Sequence, residues 1–368
     1  MNGRTYRIAI IGAGVIGKQH GKLVSELDRL ELVAVADHDV ERARELTDLR
    51  GGAPFRDVAE VLAATDVDVV AVCTPTGAHG EVAVAALDAG KHVVIEKPAE
   101  VTLERIDEII AAQQRAGTLV TVISQHRFDR STEIVADAIA GGRLGRLTSG
   151  IASIDWWRGQ SYYDSGQWRG TWELDGGGAL MNQGVHTVDL LVAALGEPVE
   201  VFAYTGLLAH EGIEVEDVAV GVVRFASGAL GVLHGSTAAF PGMSARLQVH
   251  GDRGSAVIDD DRLVYIHESS SEEPGEDRAY GANGDDSTNQ VSRYAEQGPS
   301  GPTAGSDPGA MSDAHRHQYE NVLAALDGDE ELRVTLQDNR RSVSVILGVY
   351  ESARTGRPVR LGVGSGAS

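Results

Sequence analysis

The run Gly12-Ala13-Gly14-Val15-Ile16-Gly17 constrains this chain more than any other six residues. An apolar stretch, Tyr6–Ile11, leads into it, and a helical pattern, Val15–Asp28, leaves it. In a strand–turn–helix of this kind each glycine has its own task. Gly12 allows the tight turn, Gly14 lets a pyrophosphate approach the backbone, and Gly17 lets helix and strand pack closely. The free N–H groups at the helix start, on Gly14, Val15 and Ile16, face the phosphates with the positive end of the helix dipole. Glycine turns are common in a chain with 45 glycines, so the fingerprint needs context. The second strand pattern, Leu32–Ala36, supplies it by ending at Asp37, where the fingerprint wants its acidic residue. A carboxylate there accepts both ribose hydroxyls and repels a 2′-phosphate, which predicts NAD and makes NADP the less favoured cofactor. His38, not an arginine, follows Asp37, although His38 and Arg42 leave NADP a route.

Residues 6–125 alternate strand and helix signals. Further strand patterns lie at Val67–Cys73, His92–Ile95 and Leu119–Ile123, with helical patterns at Val40–Arg50, Ala78–Ala89 and Leu103–Ala116. Near-continuous apolar strands joined by helices predict a doubly wound parallel sheet buried on both faces. After about residue 128 the pattern changes. A helix near Thr132–Ile139, a strand ending in Asp155-Trp156-Trp157 and a helix over about Ala179–Leu195 precede a series of strands over 199–267. Strands in series predict an antiparallel sheet. Residues 268–312 read as a long polar excursion, its acidic side chains (Glu272, Glu273, Glu276, Asp277, Asp285, Asp286) being a solvated loop, and two helices close the chain. The fold class is therefore α/β: a Rossmann domain over 1–128, then a second α/β domain over 129–368, with the final helix expected to pack back on the first. A length of 368 residues agrees with two cores.

The net charge of −22 argues against nucleic acid as a partner. No apolar run reaches a membrane span, which argues against a membrane partner. One cysteine, Cys73, forbids internal disulfides, and no signal-peptide pattern precedes the first strand, so a cytoplasmic location is expected.

Three further segments, taken together, resemble one family. They are Cys73-Thr74-Pro75-Thr76-Gly77-Ala78-His79, Gly90-Lys91-His92-Val93-Val94-Ile95-Glu96-Lys97-Pro98, and Gly176-Gly177-Gly178-Ala179-Leu180-Met181-Asn182-Gln183-Gly184-Val185-His186-Thr187-Val188-Asp189. The chain is similar to the glucose-fructose oxidoreductase, inositol dehydrogenase and rhizopine catabolism (Gfo/Idh/MocA) proteins, from about residue 6 to 361. The resemblance implies a C-terminal domain with a large, open, mostly antiparallel sheet. One face of that sheet commonly makes dimer or tetramer contacts, so a homo-oligomer is expected. It also implies hydride transfer between NAD and a ring carbon of a sugar or polyol, and a Lys97–Pro98 bond that is often cis.

Such chemistry needs a group that takes the hydroxyl proton as the hydride leaves. Imidazole titrates nearest neutrality, which selects His186 as proton acceptor. Lys97, expected at the carboxyl end of the fourth strand pattern, suits the substrate oxygen as an electrostatic partner; a lysine with lowered pKa could instead be the base. The resemblance assigns both matching positions to catalysis, with roles that vary. Asn182, four positions before His186, is expected on the same helix face as a substrate contact, where the family often has Asp. Asp189 is expected to orient the His186 ring or cap a neighbour. The resemblance places Thr74, Pro75, His79, Glu96, Lys97 and Gln125 along the cofactor and Arg127 near nicotinamide or substrate. Trp157 and Arg169, from aromatic stretches, are expected on a substrate rim. No metal is expected, since His315 and His317 face different sides of a helix and no His-x-x-x-His pair occurs. Two other readings stand beside the dehydrogenase. One is an NAD-retaining glycoside hydrolase or epimerase that works by transient oxidation, with Tyr162 or Tyr163 as acid/base. The other is a non-catalytic sensor, which the presence of both Lys97 and His186 disfavours.

Overall fold

A computed structural model describes residues 4–269, 288–294 and 313–362. The chain divides by compactness into two units. The first comprises residues 1–125, 165–177 and 307–343, and the second 126–164, 178–306 and 344–368. The acidic residues of the polar excursion lie outside the described residues.

The first unit carries a six-stranded parallel sheet. Its strands are β1 (Tyr6–Ile11), β2 (Leu30–Ala36), β3 (Ala53–Phe55), β4 (Val69–Val72), β5 (His92–Ile95) and β6 (Val120–Val122), in the spatial order β3-β2-β1-β4-β5-β6. Helices α1 (Val15–Ser25), α2 (Val40–Arg50), α3 (Val58–Ala64), α4 (His79–Asp88) and α5 (Leu103–Ala116) connect them. Local chemistry sets their ends. The Asp39, Asp57 and Thr102 side chains accept the Glu41, Glu60 and Arg105 amides at helix starts, and Gly117 ends α5 in the left-handed region at φ 66°. The strand order reverses between β1 and β4, the switch point where open α/β sheets bind ligands beyond their carboxyl ends. Lys97 follows the fifth strand, not the fourth, because β3 adds a short edge strand with Pro54 at its centre. Proline is tolerated at an edge, where one side of the strand needs no partner.

The second unit carries eight strands in the order β13-β12-β11-β7-β10-β9-β8-β14. These are β7 (Leu147–Asp155), β8 (Pro198–Gly206), β9 (Val218–Phe225), β10 (Leu230–Ser236), β11 (Ala245–Gly251), β12 (Ser255–Asp259), β13 (Arg262–His267) and β14 (Val359–Arg360). All neighbours are antiparallel except β7 and β10. The remaining helices are α6 (Arg130–Ala140), the single turn α7 (Gln160–Tyr163), α8 (Val185–Leu195), α9 (Asp313–Asp327) and α10 (Leu336–Thr355). α8 lies on β7 and β11. Gly150 of β7 makes room for it, since a Cβ there would stand 2.7 Å from Leu191 Cδ1. The opposite sheet face exposes Tyr204, Val220, Val222, Leu230 and Val232.

The expected single helix over 179–195 is two elements. Residues Ala179–Gly184 form a π-helical turn, and α8 begins at Val185. The wider i→i+5 turn breaks α-helical phase, so the spacing of Asn182 and His186 does not put them on one α-helical face.

Candidate active site

The glycine turn of the first unit fits its three tasks. Gly12 has φ 103°, and a Cβ there would meet Cys73 O at 2.5 Å; a Cβ on Gly17 would meet Gly12 O at 1.9 Å. Gly14 has nothing within 4 Å of that position, so the space above it is open to a ligand. Beside it, Val15 is exposed and Ile16 half-buried at the first turn of α1. Asp37 is buried at the end of β2. Its Oδ2 accepts the Ala13 amide at 2.8 Å and its Oδ1 the Asp39 amide at 2.9 Å. His38 Nδ1 also lies 3.2 Å from Oδ1, while Oδ2 keeps a second lone pair for a ribose hydroxyl.

Thr74, Lys97 and Gln125 follow three neighbouring strands, β4, β5 and β6, at the carboxyl edge of the sheet. Thr74 Oγ1 and Gln125 Oε1 are buried and have no hydrogen-bond partner among the described residues. Buried polar atoms cost free energy unless paired, so two orphans at a ligand-binding edge mark where a polar ligand completes the structure. Together with the open Gly14 cradle and the Asp37 carboxylate, this donor and acceptor set fits a dinucleotide. Pro75 is exposed beside them, and His79 is buried with its Nδ1 2.9 Å from Pro98 O and its Nε2 2.9 Å from Thr74 O. His79 thus ties the loops after β4 and β5 together. The Lys97–Pro98 bond is cis.

Glu96 does more than a ribose contact requires. Its Oε1 meets His20 Nε2 at 2.8 Å, its Oε2 accepts the Lys97 amide at 3.0 Å, and His20 Nδ1 meets the Tyr319 hydroxyl at 2.6 Å. Burial pushes the Glu96 carboxyl up, but the His20 bond and the charges of His20, Lys97 and His315 outweigh it and hold it down at about 2. Burial likewise opposes charge on His20, yet Cys73, Tyr319 and Glu96 raise its pKa well above the usual value. The result is a buried ion pair directly under the loop that carries Lys97. Nothing in the sequence pattern linked His20 or Tyr319 to that loop.

In the second unit His186 stands half-buried in the first turn of α8. It opens on a small cleft of about 30 Å³, lined also by His126, Trp156, Gln183, Arg246 and Asp261. The His126 ring lies edge-on to it, with centroids 5.1 Å apart. Asp189 holds Arg127. Its carboxylate takes the Arg127 guanidinium through two bonds, of 2.6 and 2.7 Å, so Arg127 is anchored rather than extended. Asn182 accepts Gln183 Nε2 at 3.2 Å, and Gln183 also reaches the Tyr162 hydroxyl and Arg158. Trp157 packs edge-on against the exposed Phe240 at 5.2 Å. Arg169, in the 165–177 segment of the first unit, stacks on Trp168.

Two arrangements were not legible in the sequence. The turn before Asn182 is clamped by Glu216, whose backbone carbonyl accepts the Ala179 amide while its carboxylate accepts Gly178 N, Leu180 N and the Tyr350 hydroxyl. Burial pushes the Glu216 carboxyl up to about 7, against these hydrogen bonds. The second is His126, whose Nδ1 lies 2.7 Å from Asp129 and 3.0 Å from Asp261. This is the one group among the described residues whose ligand atoms sit close enough for a metal ion, within 4.8 Å. A protonated imidazole satisfies the same atoms without one. It carries no His-pair spacing, because two of its members are aspartates, one of them on a distant hairpin.

Comparison with known proteins supplies independent findings. The model described as oxidoreductase family, NAD-binding Rossmann fold matches residues 6–124, and the GFO/IDH/MocA C-terminal domain matches residues 132–257. The chain is 32% identical to a myo-inositol 2-dehydrogenase of Thermotoga maritima, over 71% of this chain and 77% of that protein. It is 30% identical to an inositol 2-dehydrogenase of Rhizobium meliloti, over 71% and 78%. Among solved structures, the WlbA dehydrogenase of Chromobacterium violaceum, in complex with NADH and UDP-GlcNAcA, superposes with a TM-score of 0.83 at 30% identity, covering 99% of this chain and 98% of that one.

Proposed function

Since this chain belongs to the Gfo/Idh/MocA family of NAD-binding oxidoreductases, we propose that the carbon it oxidises is a secondary alcohol of a sugar, glycoside or inositol. The protein is a dehydrogenase acting on CH–OH groups, with NAD as its cofactor. One observation carries the reading. Thr74, Lys97 and Gln125 follow adjacent strands at the carboxyl edge, with two polar atoms left unpaired beside the lysine.

NAD, when bound, accepts the hydride. Gly14, Val15 and Ile16 would hold its pyrophosphate through their amides, Asp37 its adenine-side ribose, and Thr74, Glu96 and Gln125 the nicotinamide side. His186 takes the hydroxyl proton, and the Lys97 ammonium stabilises the oxygen as negative charge grows on it. Asn182, which is uncharged, donates to or accepts from a neighbouring hydroxyl, while Arg127, Trp157 and Arg169 contribute to the substrate rim. The exposed apolar face of the second sheet is suited to a homo-oligomer.

The test is direct. Purified protein with NAD is offered myo-inositol, scyllo-inositol, glucose and alkyl glucosides, and NADH formation is followed by absorbance. Oxidation of at least one polyol is expected. If no NADH forms with any of them while an aryl glycoside is cleaved, the dehydrogenase reading fails.

A further inference from the structure

Gln183 precedes His186 by less than one turn of chain and lines the same cleft, yet the reaction as described gives it no task. Its neighbours settle the polarity of its side-chain amide. Arg158 Nη2 donates to Gln183 Oε1 at 2.8 Å, and a guanidinium only donates, so the amide oxygen must face the arginine. Nε2 is then turned the other way, where it donates to the Tyr162 hydroxyl at 2.9 Å and to Asn182 Oδ1 at 3.2 Å. A flipped amide would set NH₂ against the guanidinium and oxygen against the Asn182 oxygen, replacing two bonds by two repulsive contacts. Arg158 is itself held. It is buried, its guanidinium carbon lies 5.1 Å from the Trp156 ring centre and 5.5 Å from that of Tyr162, and its Nη1 donates to the Trp157 carbonyl at 3.2 Å. Its backbone is tied as well, for its amide donates to Thr237 O and its carbonyl accepts His210 Nε2 at 2.7 Å. The donor that orients Gln183 therefore belongs to a rigid frame. Both N–H groups of the Gln183 amide are used within this frame, and Oε1 has committed one of its two lone pairs to Arg158. The side chain has one acceptor position left to offer a ligand.

We propose that Gln183 is a specificity-determining residue which accepts the proton of a second substrate hydroxyl, close to the one that His186 deprotonates, and that Arg158 is the positioning residue that gives it this polarity. The inference rests on the reading of the His186 cleft as the place where a polyol is oxidised. It narrows the substrate class. The group that meets Gln183 must carry a hydrogen to donate, as a hydroxyl or an ammonium does. A carboxylate, phosphate, ketone or methyl ether in that place would set oxygen against oxygen, and the amide's own donors are committed elsewhere.

The experiment takes the polyol that is oxidised fastest, with its monodeoxy and monofluoro analogues at each non-reacting position, and reads kcat/KM from NADH formation. With the unmodified protein one position should stand out, its deoxy analogue losing about tenfold or more because Oε1 is left without its partner. In Gln183→Met the parent polyol should fall toward its deoxy analogue, and the penalty should shrink to about twofold. Gln183→Glu, which still turns an acceptor to Arg158, should keep the penalty. Fluorine accepts but does not donate, and its inductive slowing of hydride loss is common to all variants, so it should not rescue the deoxy analogue in the unmodified protein. Arg158→Met frees the amide to flip and should let fluorine rescue it, whereas Arg158→Lys, which keeps a donor at Oε1, should not. The proposal is overturned if the unmodified protein oxidises every deoxy analogue as well as the parent, or if the penalty is as large in Gln183→Met. It is overturned equally if fluorine rescues the deoxy analogue in the unmodified protein, or rescues it no better in Arg158→Met. The analogue series on the unmodified protein needs no variant, so a substitution that does not fold leaves the proposal falsifiable. Failure of the parent reading looks different, because no polyol then yields NADH at all, and the proposal falls with it.

Discussion

Replacing Glu216 with glutamine should remove a pH dependence of stability that the folded chain builds in. The Glu216 side chain is buried, and its ionised form must be held by two backbone amides and the Tyr350 hydroxyl. Burial wins and lifts the pKa from 4.5 to about 7. A carboxyl whose folded pKa is raised favours folding in its protonated form. Its burden is therefore absent below the unfolded pKa, grows as pH rises between 4.5 and about 7, and is complete above that. At about 1.36 kcal/mol per pH unit the full effect is roughly 3 kcal/mol, and about three-quarters of it falls between pH 5 and 8. Glutamine cannot ionise, but its NH₂ group must face one of the donors the carboxylate accepted, at a cost of about 1–3 kcal/mol. At pH 8 the two effects nearly cancel, whereas at pH 5 only about a quarter of the burden offsets the cost. Urea unfolding of both proteins at pH 5, 6, 7 and 8 should show curves that converge as pH rises, by about 2 kcal/mol over that range. Parallel curves would refute the reasoning, because the charge state of Glu216 would then be the same in folded and unfolded chains.

Other outcomes follow from the two units. Lys97→Ala and His186→Ala should each lower kcat by about 10²–10⁴ with NAD binding retained, measured by steady-state kinetics and NAD titration. Gly14→Ala should weaken NAD binding at least tenfold with little change in Tm, since its Cβ enters open space, whereas Gly17→Ala should lower Tm by several degrees because its Cβ would stand 1.9 Å from Gly12 O. Asp37→Ser should reduce the ratio of NAD to NADP affinity by about tenfold or more, read from the two titrations. Val222→Lys, on the exposed sheet face, should shift the protein toward monomer in analytical ultracentrifugation; an unchanged mass would move the oligomer contact elsewhere.

What the sequence made legible was whatever depends on neighbours along the chain. The glycine turn, Asp37 and the apolar strands each state their role within a single strand–helix–strand unit. Edge strand β3 was hidden because so short a strand with a central proline carries no periodic signal. The π-helical turn was hidden because its apolar pattern, Ala179-Leu180-Met181, is also that of an α-helix, and the interruption is stabilised from outside by Glu216. His126 escaped notice for a related reason. Its importance comes from Asp261, a partner supplied by a hairpin turn far along the chain. Asp189 could be read two ways from its place beside His186, and its paired bonds to Arg127 are a choice that spacing along α8 could not reveal.

The composite make-up of the first unit has a consequence for biosynthesis. Its hydrophobic core includes Tyr319, Val322 and Leu323 beside Ile8, Ile10 and Leu46. Those α9 side chains are translated long after β6, and after the strands of the second sheet up to β13. The nascent nucleotide-binding sheet therefore waits through synthesis of β7 to β13 with one flank uncovered and His20 lacking its tyrosine. Folding of this half is set to finish only once α9 has been made, so a chain truncated before α9 should be a substrate for proteases and chaperones rather than a free-standing nucleotide binder.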